Sequence, residues 1–162
     1  YEGGMRVPCI AKWPGVIPAD TVSPQLSCTL DLLPTLAGFA GADLPRLKID
    51  GVDLGAMLRG GPDAPSPREV LHFYHKDQLR AVRSGQWKLH LWRAVFNKEF
   101  PEELYDVTTD ALEAQNLVEQ NPEVVARLVA HAEAMRTELG DRGQAGREQR
   151  PAGIVEDPTT LK

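Results

Sequence analysis

Four histidines, two cysteines and a scatter of carboxylates are the side chains of this 162-residue sequence with the chemistry to hold a metal, move a proton or attack an electrophile. His72 and His75 bracket an apolar strand end, Leu71-His-Phe-Tyr-His75. Such a pair can line a pocket, but three-residue spacing on a strand sends the two rings to opposite faces, which argues against a shared metal. His131 falls in the middle of a helical pattern and reads as a surface or boundary residue. Cys9 and Cys28 lie in apolar stretches without Cys-x-x-Cys spacing. They read as two buried free thiols rather than as a zinc site, a redox pair or a disulfide. No Gly-x-Ser-x-Gly elbow is present, and Ser84 belongs to a turn, where serine is common for conformational reasons. Asp50, Asp53 and Asp63 lack the spacing of a calcium loop. Glu2-Gly3-Gly4 permits a close approach of backbone amides to an anion, and equally a flexible turn. The sequence therefore assigns no catalytic residue and no metal ligand within the chain.

The elements that position these residues follow from apolar period and punctuation. Val7 to Trp13 is a short apolar run between Gly4 and Pro14-Gly15, and it suits a buried strand made irregular by Pro8. Thr29 to Gly41 reads as a well-buried helix, capped by Thr29 or Asp31, with Pro34 in its first turn and Gly41 at its end. Leu54 to Leu58 is a shorter helix, ended by Gly60-Gly61. The segment Gly60-Gly-Pro-Asp-Ala-Pro-Ser-Pro67 is the strongest break in the chain. Beyond it the period turns strand-like at Glu69–His75, Leu79–Arg83, Gln86–Trp92 and Glu103–Asp106, with Ser84-Gly85 as a hairpin turn. In the third strand Trp87, Leu89 and Leu91 alternate with Lys88, His90 and Trp92, which predicts one buried and one open face. Asn121-Pro122-Glu123 starts a helix whose apolar face is Val124, Val125, Leu128, Val129, Ala132, Met135 and Leu139, and Gly140 ends it.

The division expected is residues 1–65, then a small subdomain over 66–140 with about four antiparallel strands and a helix at 122–139, then an irregular tail over 141–162. The expected class of this arrangement is α+β, and the composition, 42% hydrophobic and 25% charged residues, is that of an ordinary globular protein. A net charge of -5 without basic runs argues against a nucleic-acid partner. No stretch approaches the roughly 20 apolar residues of a membrane span. The opening Tyr1-Glu-Gly-Gly4 has no initiator Met, so the native N-terminus is expected to lie further upstream.

Taken together, Tyr1-Glu-Gly-Gly-Met-Arg-Val-Pro8, Trp13-Pro-Gly15, Leu30-Asp-Leu-Leu-Pro-Thr-Leu36 and Asp50-Gly-Val-Asp-Leu54 occur in an order and spacing that resemble the later half of an arylsulfatase. Ala81-Val-Arg-Ser-Gly-Gln-Trp-Lys-Leu89, Glu103-Leu-Tyr-Asp106 and Asn116-Leu117 extend the resemblance over nearly the whole chain. It implies the alkaline phosphatase superfamily: residues 1–65 would be the last elements of a large mixed-sheet α/β domain, and 66–140 a small antiparallel subdomain with a packed C-terminal helix.

The resemblance also implies that the chemistry lies elsewhere. Sulfatases cleave sulfate esters with a formylglycine made from a Cys/Ser-x-Pro-x-Arg motif, aided by calcium or another divalent cation. Cys9 precedes Ile10-Ala11-Lys12-Trp13 and Cys28 precedes Thr29-Leu30-Asp31-Leu32, so neither matches. A sulfate-contacting Lys would fall just upstream of Tyr1. Sulfate ester cleavage needs a positioned nucleophile and concentrated positive charge, so the isolated chain is expected to be inactive. By the same resemblance His75 and Lys76 rim the substrate pocket, and Lys88 and His90 share a strand face that can reach the rim. Glu2, Gly3, Gly4 and Arg6 shape or support the site. The expected partners are the rest of the sulfatase chain, a sulfate-ester substrate and a second copy covering exposed edges. A periplasmic, secreted or lysosomal setting fits the family. A related phosphoester or phosphonate hydrolase, or a non-catalytic binding or assembly module, are the competing readings.

Overall fold

The computed structural model describes residues 1–95 and 98–150. Alternating apolar residues after the proline-rich break produce a four-stranded antiparallel sheet: β1 (Val70–His75), β2 (Gln78–Ser84), β3 (Trp87–His90) and β6 (Glu103–Asp106), in the order β1-β2-β3-β6. The intervening β4 (Arg93–Val95) and β5 (Lys98–Phe100) pair with each other. Ser84 pairs with Trp87 across a tight turn in which Gly85 has φ 57°, a value that favours glycine. The β1–β2 register slips between Phe73 and Tyr74, so Arg80 faces no β1 residue. That bulge lets Leu79 join Val82 on the same side, although the two are three residues apart.

The apolar face receives α3 (Pro122–Leu139), whose Leu128 and Ala132 enter a core with Leu79, Val82, Leu89, Leu91 and Leu104. Val124, Val125, Val129 and Met135 pack around it, as the helical period predicts. Asn121 precedes Pro122, but its side chain donates to the Leu117 carbonyl instead of capping the helix (3.1 Å).

The first sixty residues hold less regular structure. A 3-10 turn, Thr29–Asp31, leads into α1 (Leu32–Ala40), which ends on left-handed Gly41 as expected. α2 (Gly55–Gly60) follows. Asp31 is fully buried and accepts the Cys28 amide (2.9 Å), the Val52 amide (2.9 Å) and the Arg68 Nε (2.8 Å). One carboxylate thus joins the start of α1, the loop before α2 and the approach to β1.

Four expectations are corrected here. Residues 7–13 form no strand, and Ile10 is 95% exposed, because among the described residues no neighbouring strand supplies hydrogen-bond partners. Cys9, within that run, is exposed, and Cys28, which precedes the Thr29–Asp31 turn, is half-buried, so the two are not both buried. Helix α1 is not well buried: only Pro34 and Thr35 are, and Leu32, Leu33 and Leu36 face outward. Nor is the start of the expected irregular tail irregular. Residues β7 (Gly140–Asp141) and β8 (Gln144–Ala145) form a hairpin. The remainder of that tail, residues 151–162, lies outside the described residues.

Candidate functional site

The 3-10 turn Glu2–Gly4 lies against the sheet face opposite α3, and Glu2 anchors it there. Its side chain is 4% exposed as a residue, with Oε1 accepting from Lys88 Nζ at 2.8 Å and Oε2 facing Arg83 at 3.4 Å. Lys88 and Arg83 are cross-strand neighbours on β3 and β2, so the strand register delivers both cations to one point. Lys88 is 1% exposed, and its Nζ also meets Glu113 Oε1 at 3.1 Å and stands 5.0 Å from the Phe73 ring centre.

Glu113 closes the cluster. A turn fixed by Asp110, whose carboxylate accepts the amides of Ala114 and Gln115 at 2.8 Å, places Glu113 in a left-handed conformation. Its carboxylate accepts the Glu2 backbone amide and lies 2.7 Å from His90 Nε2. An ionised carboxylate only accepts, so Nε2 of His90 carries the hydrogen. Tyr1 stacks on His90 at 4.9 Å between ring centres, and its hydroxyl donates to Glu103 at 3.3 Å.

The electrostatics favour a charge-balanced, inert arrangement. Burial alone would raise the Glu113 carboxyl, but the hydrogen bonds from His90, Glu2 and Lys88 outweigh it and hold the group below its ordinary range. Burial pushes the His90 imidazole down, and the bond to Glu113 only partly offsets this. Two carboxylates then face Lys88 and Arg83 with a neutral imidazole beside them. Burial pushes the neighbouring Tyr105 phenol up to about 12, so it too stays uncharged. The carboxylates of Glu2 and Glu113 are engaged by Lys88, Arg83 and His90, so the cluster serves to position chain.

Lys88 and His90 were expected on an open polar face. They are buried because Tyr1, Glu2 and Glu113 cover that face, so they hold the Glu2 turn instead of meeting solvent. Gly3, Gly4 and Arg6 are exposed. The Arg6 amide donates to the Glu2 carbonyl at 2.7 Å and so continues the anchored turn. His75 and Lys76 are exposed at the β1–β2 turn, apart from the ion cluster. Lys76 lines a cleft of about 410 Å³ with Tyr74, Asp77, Asp50 and Arg150. Arg83 and Glu113 are the members that sequence reading missed. Glu113 meets His90 across 23 positions and the Glu2 amide across 111, and no local pattern encodes such pairings.

His72 lies on the α3 side of β1, apart from exposed His75, and its Nε2 has no hydrogen-bond partner among the described residues. Among those residues no group of three or more His, Cys, Asp or Glu is arranged to hold a metal ion. The carboxylates of the cluster are already neutralised by cations, which does not suit a second, metallic one.

The anchored Tyr1–Gly4 turn followed by an antiparallel sheet and a packed helix corresponds to a known family. The family described as N-sulphoglucosamine sulphohydrolase, C-terminal, matches residues 1–138. The chain belongs to this family and is the C-terminal part of a sulfatase. Arylsulfatase A of Bos taurus is 36% identical over 98% of this chain and 35% of its own length. N-acetylgalactosamine-6-sulfatase of Canis lupus familiaris is 45% identical over 57% of this chain and 17% of its own length. The chain thus spans about a third or less of the relatives it matches. Among solved structures, the PsFucS1 sulfatase from Pseudoalteromonas superposes with a TM-score of 0.67 over 78% of this chain and 28% of that one, at 21% identity. That likeness shows the fold of the matching part of that structure alone. This chain of the family joins a four-stranded antiparallel sheet to a packed helix, with the Glu2 turn held to the sheet by ion pairs.

Proposed function

We infer that this chain serves a sulfuric ester hydrolase by supporting and rimming its substrate pocket, while the nucleophile and the metal ligands come from residues outside it. The observation that carries this reading is the burial of Glu2 between Lys88, Arg83 and the amide-binding Glu113. Several charge-assisted bonds hold this turn in one place, and firm positioning is what a neighbouring reactive centre requires. Glu2, Gly3, Gly4 and Arg6 support the site in this reading, and Lys88, His90, Arg83 and Glu113 hold the support in place. His75 and Lys76 meet the sulfate-ester substrate at the rim: Lys76 offers an exposed cation toward an anionic group.

Residues 1–65 are, in this account, the end of the large α/β domain, and 66–140 the small subdomain. The rest of the sulfatase chain covers the outward leucines of α1. Where that part is missing, a second copy of the chain covers them. A formylglycine and calcium or another divalent cation belong to the complete enzyme. Neither Cys9 nor the carboxylates here fit them, so no step is routed through this chain. The sulfatase names of the relatives favour sulfate over the phosphoester alternative. Among the described residues no helix is long and apolar enough to cross a membrane. A periplasmic, secreted or lysosomal setting is the compartment we attach to the complete enzyme.

The test is hydrolysis of sulfated saccharides and aryl sulfates by the complete protein carrying His75→Ala or Lys76→Ala. The reading expects kcat/KM to fall about tenfold or more through KM. Unchanged kinetics in both variants would remove these residues from the substrate rim.

A further inference from the structure

The β1–β2 turn that carries His75 and Lys76 is clasped by the β7–β8 hairpin. The Asp141 carboxylate accepts the Leu79 amide at 3.0 Å, and the Arg142 amide donates to the Asp77 carbonyl at 2.8 Å. The Tyr74 hydroxyl donates to the Gly140 carbonyl at 2.9 Å. Asp141 is itself held by Arg136 Nε from the last turn of α3 at 2.7 Å, and the Arg142 guanidinium lies 5.1 Å from the centre of the Trp92 ring. After the hairpin the chain runs back along α3, with Arg147 and Glu148 amides bound to the Thr137 and Glu138 carbonyls. The helix, the hairpin and the turn therefore form one hydrogen-bonded unit.

What is held is unusual. Lys76 has φ 57°, in the left-handed region where a side chain is strained and glycine is not. A cation thus occupies a turn position that glycine would occupy more stably. Gly140, with φ 92°, has no alternative residue: a Cβ there would sit 2.1 Å from the Gln144 carbonyl oxygen. The hairpin is thereby fixed in the shape that reaches Asp77 and Leu79.

We propose that the Gly140–Ala145 hairpin, through Asp141, is a positioning device that fixes the strained Lys76 turn so that its ammonium group is presented to the anionic group of a sulfate-ester substrate. This rests on the reading of Lys76 as a rim residue. Asp141 is a positioning residue: it binds the amide of Leu79 and touches no substrate.

The experiment uses the complete protein with Asp141→Ala, Tyr74→Phe, Lys76→Ala and the Asp141→Ala/Lys76→Ala double variant. Backbone amide exchange at Lys76–Leu79 and steady-state kinetics on a sulfated saccharide are read together. The inference expects faster exchange at Leu79 in Asp141→Ala and a rise in KM of about tenfold with kcat within about twofold. It also expects the double variant to match Lys76→Ala, since the effect passes through that turn. Tyr74→Phe removes a single hydroxyl and gives a milder change of the same kind, which guards against a variant that fails to fold. Unchanged exchange at Leu79 in both variants overturns the clasp. Faster exchange with an unchanged KM in Asp141→Ala, while Lys76→Ala raises KM, overturns the positioning role. A normal KM in Lys76→Ala overturns the rim reading beneath it.

Discussion

Lys88 Nζ lies 2.8 Å from Glu2 Oε1, and the two residues, 86 positions apart, are both shut off from solvent. A buried pair of this kind is weak as a source of net stability but severe when half of it is removed. Lys88→Ala leaves Glu2 and Glu113 buried without their shared cation, and should cost roughly 3–5 kcal/mol. Lys88→Met combined with Glu2→Gln removes both charges of that pair and should recover part of the loss, while Arg83 and Glu113 keep their charges. Urea unfolding of the unaltered protein, Lys88→Ala and the double variant checks the order.

The Asp31–Arg68 pair predicts a second large effect at a different place. Burial alone would raise the Asp31 carboxyl, but the Arg68 guanidinium and the amides of Val52 and Cys28 outweigh it and hold it below its ordinary value. Asp31→Asn should destabilise by roughly 3 kcal/mol, because Arg68 loses its counter-charge while two half-buried amides keep only a weaker acceptor. Thermal unfolding measures it, and hydrogen exchange at Val52 and Cys28 should accelerate with it.

Acid should weaken the fold in two windows. His90 and His72 both have pKa values lowered chiefly by burial from an ordinary value of 6.5. The unfolded chain therefore takes up protons first, and stability present above pH 6.5 is lost as pH falls from there toward the folded values. Glu113 is also depressed, from an ordinary 4.5, so its contribution is present above that pH and is lost as pH falls through its folded value. The slope contributed by each histidine is at most about 1.4 kcal/mol per pH unit. Urea midpoints between pH 8 and pH 4 should be flat at first and then fall. His90→Gln, whose amide still donates to Glu113, should flatten part of the upper limb.

Much of the small subdomain was legible because local pattern decides it. The strand periods at 70–75 and 78–84, the Glu103–Asp106 strand and the Pro122–Leu139 helix all follow from spacing within one element. The polar face of β3 was not legible. Alternation says only that Lys88 and His90 share a face, and the groups that cover it, Glu2 and Glu113, come from distant segments. The apolar run at 7–13 failed for the opposite reason: its pattern is strand-like, but no strand lies beside it to pair with. The hairpin at 140–145 was hidden by its brevity, and glycines at 140 and 143 are its one local sign.

The outward leucines of α1 give a further prediction. Leu33 is 54% exposed and Leu36 is 61% exposed. In the isolated chain Leu33→Lys with Leu36→Lys should change stability by no more than about 0.5 kcal/mol per site and should abolish self-association in light scattering. In the complete protein the same pair should prevent soluble folding if, as proposed, the rest of the chain buries that face.

The central claim is that this chain supports a sulfatase site without forming one, and turnover of a chromogenic aryl sulfate tests it most directly. The complete protein should release product, and residues 1–162 alone should release none above a protein-free control. Turnover by the isolated chain at a rate near that of the complete protein would contradict the account.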